Sequence, residues 1–114
     1  AKPVAASPSI TLDQANPQFG DSVTFTYEAP AHSKDCTNEL TNCNYIVIEC
    51  FDPAFVWFTA QATVNQPITL GTYQGNNGWV GQPADCTASL GEYHGTAAQG
   101  FTFEVFATTN FHVE

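Results

Sequence analysis

Hydrophobic and polar residues alternate most cleanly between Ser22 and Glu28, where Val23, Phe25 and Tyr27 fall on one side and Ser22, Thr24 and Thr26 on the other. A period of two is the repeat of a strand with one buried face. The stretch Tyr45-Ile46-Val47-Ile48-Glu49-Cys50-Phe51 has a different pattern: β-branched and aromatic, and apolar on both faces except at Glu49. It predicts a central strand covered on both sides. Its expected neighbour is Asp85-Cys86-Thr87-Ala88-Ser89-Leu90, which sets Cys86, Ala88 and Leu90 on one face.

The remaining pattern is a series of short strands separated by turn residues. Ser9 to Asp13 reads as an edge strand with Ile10 and Leu12 inward, and Asn16 to Asp21 as a turn. Ala29 to Asn44 is a long connection. Asp52-Pro53-Ala54 turns the chain into a strand or strand pair over Phe55 to Val64, and Pro67 to Thr72 gives a short strand with Ile68 and Leu70 inward. Tyr73 to Ala84 is a Gly/Asn-rich loop in which Asn77-Gly78 suits a turn with positive φ. A strand over Asp85 to His94 is followed by the flexible Gly95 to Gly100 and by the last and longest strand, Phe101 to Glu114. In that last strand Phe101, Phe103 and Val105 share one face, and Phe111 and Val113 keep the same parity. Phe106 breaks it, which predicts a bulge or two-sided burial between Phe106 and Thr109. No internal repeat and no helical period is present. About seven short strands with turn signals at intervals of roughly ten residues predict an all-β, antiparallel two-sheet sandwich, with a small closed barrel as the alternative. The expected organisation is an extended arm over residues 1–8 and one sandwich domain over residues 9–114.

Charge narrows the partners. Two lysines stand against eleven acids, for a formal net charge of −9. Nucleic-acid binding needs Lys or Arg to displace phosphate counterions, and Lys2 with Lys34 falls far short, so neither nucleic acid nor an anionic membrane surface is an expected partner. No apolar run approaches the roughly 20 residues of a membrane helix, and Ala1 to Ile10 lacks the apolar centre of a signal peptide, so membrane insertion is not expected. Methionine is absent, which implies a removed initiator or leader, or numbering that begins after one.

Four cysteines admit three pairings. The strand assignment favours Cys50–Cys86 between neighbours in one sheet, and the length of the Ala29–Asn44 connection favours Cys36–Cys43 as its staple. Closing these loops stabilises by about 4 and about 2.5 kcal/mol in the chain-entropy picture. Four free buried thiols are the alternative, while a four-cysteine zinc site lacks the paired C-x2-C knuckles.

Candidate chemistry is sparse. A blue-copper site needs two His, one Cys and usually an axial Met; Met is absent, and the step from Cys86 to His94 is long for one ligand loop. His32, His94 and His112 are scattered, and His112 is expected beside a strand partner. Ser89 lies mid-strand without a nucleophile elbow. The acids lack a calcium-loop spacing, leaving an interstrand calcium site as the lesser alternative to none. The expectation is therefore no catalytic residue, no metal ligand and no cofactor. Tyr73, Asn76, Asn77 and Trp79 form a candidate interaction surface, with Trp79 and Tyr73 as a stacking platform and the asparagines as donors. Trp57 and Phe55 are a second such pair. The competing reading is that these aromatics plug the ends of the sandwich.

Pro83-Ala84-Asp85-Cys86-Thr87-Ala88-Ser89-Leu90 and Ala107-Thr108-Thr109-Asn110-Phe111-His112-Val113-Glu114, with Ser22 to Tyr27 and Ile48-Glu49-Cys50, resemble immunoglobulin-like domains of tailed-phage virion proteins, especially those of actinobacteriophages. The resemblance spans most of residues 9–114; Cys36 and Cys43 depart from it. It implies an immunoglobulin-like sandwich and a non-enzymatic role on the virion surface as a capsid decoration protein. The implied partners are the major capsid protein or other virion proteins, and host surface glycans. An adhesin or glycan-binding module on a phage tail or bacterial surface is the alternative.

Overall fold

The computed structural model describes residues 7–36, 39–52, 55–64, 66–71 and 78–114, with Phe55 described by its backbone alone. Among the described residues every regular element is a strand: β1 (Ser9–Leu12), β2 (Ser22–Val23), β3 (Phe25–Glu28), β4 (Asn44–Asp52), β5 (Phe55–Thr63), β6 (Ile68–Thr69), β7 (Ala84–Thr96) and β8 (Gly100–Val113). The expected arm over residues 1–8 lies largely outside the described residues.

Two antiparallel layers pack face to face. One is a four-stranded sheet in the order β5-β4-β7-β8. The other is built on the line β2–β3, whose first half pairs with β6 (Val23 opposite Ile68) and whose second half pairs with β1 (Leu12 opposite Phe25). The alternation from Ser22 to Glu28 predicts one strand; the structure interrupts it at Thr24. There the partner changes, and Asp13, at the end of β1, accepts hydrogen bonds from Thr24 Oγ1 at 2.9 Å and Thr26 Oγ1 at 2.5 Å. Counting β2 and β3 as one interrupted strand gives seven, in the two-sheet order of an immunoglobulin-like sandwich.

The core lies between the layers. Ile46, Ile48 and Cys50 of β4, Phe58 and Ala60 of β5, and Cys86, Ala88 and Leu90 of β7 meet Ile10, Val23, Phe25 and Ile68 of the opposite layer. Phe111 reaches across to Phe25, with ring centroids 6.3 Å apart. β4 is central, but only one of its faces is closed. Ile46, Ile48 and Cys50 are buried, whereas Tyr45, Val47 and Phe51 on the other face are half-buried and Glu49 is exposed. The apolar residues on that outer face therefore do not signal a second covering layer.

Trp79 is 1 % exposed and plugs one end of the core, its ring 5.0 Å from Phe19 and 5.6 Å from Phe58. Its Nε1 donates to the Gln82 carbonyl at 2.6 Å, which satisfies the one polar atom the ring takes inside. Gly71, at φ +86°, passes so close to Phe19 that a Cβ there would lie 2.2 Å from its ring. The chain end closes the same corner: Phe19 N donates to the Glu114 carbonyl and Glu114 N to the Pro17 carbonyl, each at 3.2 Å.

Both disulfides form as the sequence predicts. Cys50 and Cys86 stand directly opposite each other in β4 and β7, with Cα atoms 4.1 Å apart, so this cystine joins neighbours within one sheet. Cys36–Cys43 closes a seven-residue separation in the β3–β4 connection, with Cα atoms 5.7 Å apart. That connection is further tied down where Asn44 N donates to the Lys34 carbonyl at 2.8 Å and Asn42 N to the Tyr93 carbonyl at 2.9 Å.

Candidate functional site

The register of β7 with β8 positions the chemistry of this molecule. Leu90 pairs with Ala107, but Gly91 pairs with Val105, so Phe106 is an extra residue on β8. This is the bulge that the parity break predicts. Opposite residues in an antiparallel pair project to the same side. On the far side of the bulge Ala107, Thr109, Phe111 and Val113 therefore follow Leu90, Ala88, Cys86 and Ala84 inward. On the near side Val105, Phe103 and Phe101 follow Gly91, Tyr93 and Gly95 outward. Seven residues of like parity are split between two faces by one inserted residue. Gly91 permits the close approach: a Cβ there would lie 2.2 Å from the Glu104 carbonyl oxygen and 2.7 Å from the Phe103 ring.

The outcome is an aromatic surface on the outer face of the four-stranded sheet. Tyr93 lies at its centre, its ring centroid 4.8 Å from Phe103 and 5.5 Å from Tyr45. Phe101 is 43 % and Val105 51 % exposed beside them. Tyr93 Oη donates to Gln61 Oε1 at 2.6 Å, which holds the ring against β5. Burial, and then the neighbouring Tyr45, push the Tyr93 phenol above its ordinary pKa. The other half of this face is polar. Thr87 Oγ1 donates to Asn110 Oδ1 at 2.9 Å, and His112 Nδ1 lies 2.8 Å from Asp85 Oδ1.

On the inner face the same register sets Glu92 opposite Glu104. Glu92 is 3 % exposed. His94 Nε2 lies 3.1 Å from Glu92 Oε1 and 2.9 Å from Glu104 Oε1, and His32 Nε2 approaches Glu92 Oε1 to 3.6 Å. Ser33 Oγ lies 2.7 Å from both Glu92 Oε2 and Asn44 Oδ1, and its one proton serves one of them at a time. Asn44 Nδ2 donates to Asp35 Oδ1 at 2.7 Å, and Tyr27 Oη donates to Asp35 Oδ2. Burial first, and then the Asp35 hydrogen bond and charge, push the Tyr27 phenol far above its usual range. Glu92, His94 and Glu104 are the described side chains whose donor set suits a metal ion. Cys36, Glu39 and Cys43 also converge, but there the two sulfurs are joined in a disulfide.

Of the four residues predicted as an interaction surface, Tyr73, Asn76 and Asn77 lie outside the described residues. Trp79 is in the core, so its ring offers no stacking platform; it plugs the end of the sandwich instead. Trp57 is half-buried and packs against the core. Ser89 sits within the sheet between Val47 and Thr108. Sequence reasoning does not single out Tyr45, Tyr93, Phe101, Phe103 and Val105 as a surface, nor Glu92 with His94 and Glu104 as a cluster. The signal for both is the parity break at Phe106, combined with a hairpin fold about Gly95 to Gly100. Comparison with protein families, with curated protein sequences and with solved structures finds no match to this chain.

Proposed function

We propose that this chain is a non-enzymatic binding domain of the immunoglobulin-like class, which meets a protein partner through the outer face of its four-stranded sheet. More particularly, it serves as a decoration protein on a phage capsid, docked on the major capsid protein. The observation that carries the reading is the outward aromatic surface, with Phe101 at 43 % and Val105 at 51 % exposure beside Tyr45, Tyr93 and Phe103. Contiguous apolar surface of this kind marks interaction sites. The resemblance of the segments around Cys86 and Phe111 to phage virion domains supplies the kind of partner. Two disulfides suit a protein that works outside a reducing cytoplasm. The net charge of −9 limits self-association of a domain displayed in many copies.

The test is sedimentation of the purified chain with heads assembled from the major capsid protein. Expected is saturable binding at a fixed ratio to capsid subunits, lost in the Phe101→Ser/Val105→Ser double variant while its unfolding midpoint stays within a few degrees. A chain that remains in the supernatant at every head concentration overturns the reading. An adhesin is the second reading, favoured by the same open tyrosine and phenylalanine rings; binding on a glycan array with none to heads would select it.

A further inference from the structure

We propose that Glu92, His94 and Glu104, with His32 closing from the β3–β4 connection, bind a divalent transition-metal ion of the zinc class. The ion would tie that connection to the β7–β8 hairpin, independently of what the outer face binds. Glu92 and Glu104 are direct cross-strand partners, an arrangement of like charges that is unfavourable without a cation between them. Lys34 is the one Lys or Arg among the described residues, and its Nζ lies beside Glu39 at 3.8 Å. No lysine or arginine among those residues answers the carboxylate pair. His94 presents a single ring nitrogen, Nε2, to both carboxylates, at 3.1 and 2.9 Å. One N–H serves one oxygen well; a metal ion bound at the Nε2 lone pair serves both.

The spacing fits such an ion. Bonds of about 2.0–2.1 Å at tetrahedral angles place neighbouring ligand atoms about 3.3 Å apart. The ligand atoms of Glu92, His94 and Glu104 all lie within 4.8 Å of one another, at 2.9 Å (His94–Glu104) and 3.1 Å (His94–Glu92); His32 stands outside this triad and approaches it only at Glu92, at 3.6 Å. Imidazole nitrogen with carboxylate oxygen selects zinc-like ions over calcium, which takes oxygen alone. The surroundings complete the picture. Glu92 is held from behind by Ser33 at 2.7 Å, and Ser33 in turn contacts Asn44, whose amide donates to Asp35. This outer ring of hydrogen bonds is what orients a ligand carboxylate. His32, Glu104 and His94 have side chains 65 %, 56 % and 39 % exposed, so an ion has an entry path, and the His32 ring, edge-on to Phe106 with centroids 5.9 Å apart, already stands at its margin.

The experiment is titration of the intact, disulfide-bonded chain, freed of metal by chelator, with Zn2+, Co2+ and Ca2+ separately. Expected are one Zn2+ or Co2+ per chain, the visible absorption of a low-coordinate Co2+ site, and a Zn2+-dependent rise in the thermal midpoint that Ca2+ does not reproduce. His94→Ala and Glu104→Gln, both at partly exposed positions, weaken binding at least about tenfold. His32→Ala, on the loop beside Phe106, weakens it, and His112→Ala leaves it unchanged. Absence of saturable binding, unaltered binding in His94→Ala, loss of binding in His112→Ala, or an equal response to Ca2+ overturns the proposal.

Discussion

Glu92 faces Glu104 directly across the β7–β8 pair because Phe106, two residues along β8, has no partner of its own. Were Phe106 instead paired with Gly91, Val105 would stand opposite Glu92 and turn inward, and Glu104 would stand opposite Tyr93 and turn to solvent. One residue thus decides two surfaces: which side chains of residues 101–105 reach the solvent side of the sheet, and which charged groups meet at the mouth of the core.

Gly91, beside the bulge, exposes this register to a single substitution. Gly91→Ala places a methyl 2.2 Å from a backbone carbonyl that cannot rotate away. The expected loss is about 1–3 kcal/mol, as for other overpacked sites, measured by urea unfolding. A loss below about 0.5 kcal/mol would contradict this close approach of the two strands.

The two disulfides stabilise unequally. Removing Cys50–Cys86 as a double alanine variant opens a 36-residue separation and leaves space in the core, and the expected loss is about 4 kcal/mol or more. Removing Cys36–Cys43 opens a separation of seven and releases only the β3–β4 connection, for about 2.5 kcal/mol or less. Guanidinium unfolding of both variants checks the order; hydrogen exchange in the second variant should rise around residues 32–44 and not in β4 or β7.

The pKa of His112 is shifted for a clear reason. The hydrogen bond from its ring to Asp85, 2.8 Å away, raises its pKa above the ordinary value, and the nearby Glu114 charge adds to this. A raised folded-state pKa means that the charged ring is favoured by folding. The contribution is fully present below the unfolded-state value of about 6.5 and disappears as pH rises through the folded-state value. An NMR titration should find His112 titrating above that reference, and Asp85→Asn should bring it down. A His112 that titrates below it would contradict the contact.

Much of the fold was legible in the residue pattern because its strands bury one face each. Val23 and Phe25, Ile46 and Ile48, and Cys86 and Leu90 all report the inner side by alternation, and the two cysteine pairs follow from where those strands lie. Phe106 showed as a break in parity, but parity alone does not say which half of the strand turns over; that depends on pairing with Leu90 and Gly91. The candidate surfaces were hidden for this reason. Trp79 stands among Gly and Asn in the sequence, a setting that suggests exposure, yet a large ring beside an open-ended core gains more by filling it. The pairing of Glu92 with Glu104 is a property of register, which no local spacing expresses.

Nuclear Overhauser contacts between aromatic side chains test that register most directly. Expected are contacts from the Tyr93 ring to Phe103 and Tyr45, whose centroids lie 4.8 and 5.5 Å away, and from Phe111 to Phe25 across the core. Contacts from Phe101 or Phe103 to Ile46 or Leu90 would place those rings inside the sandwich and contradict it.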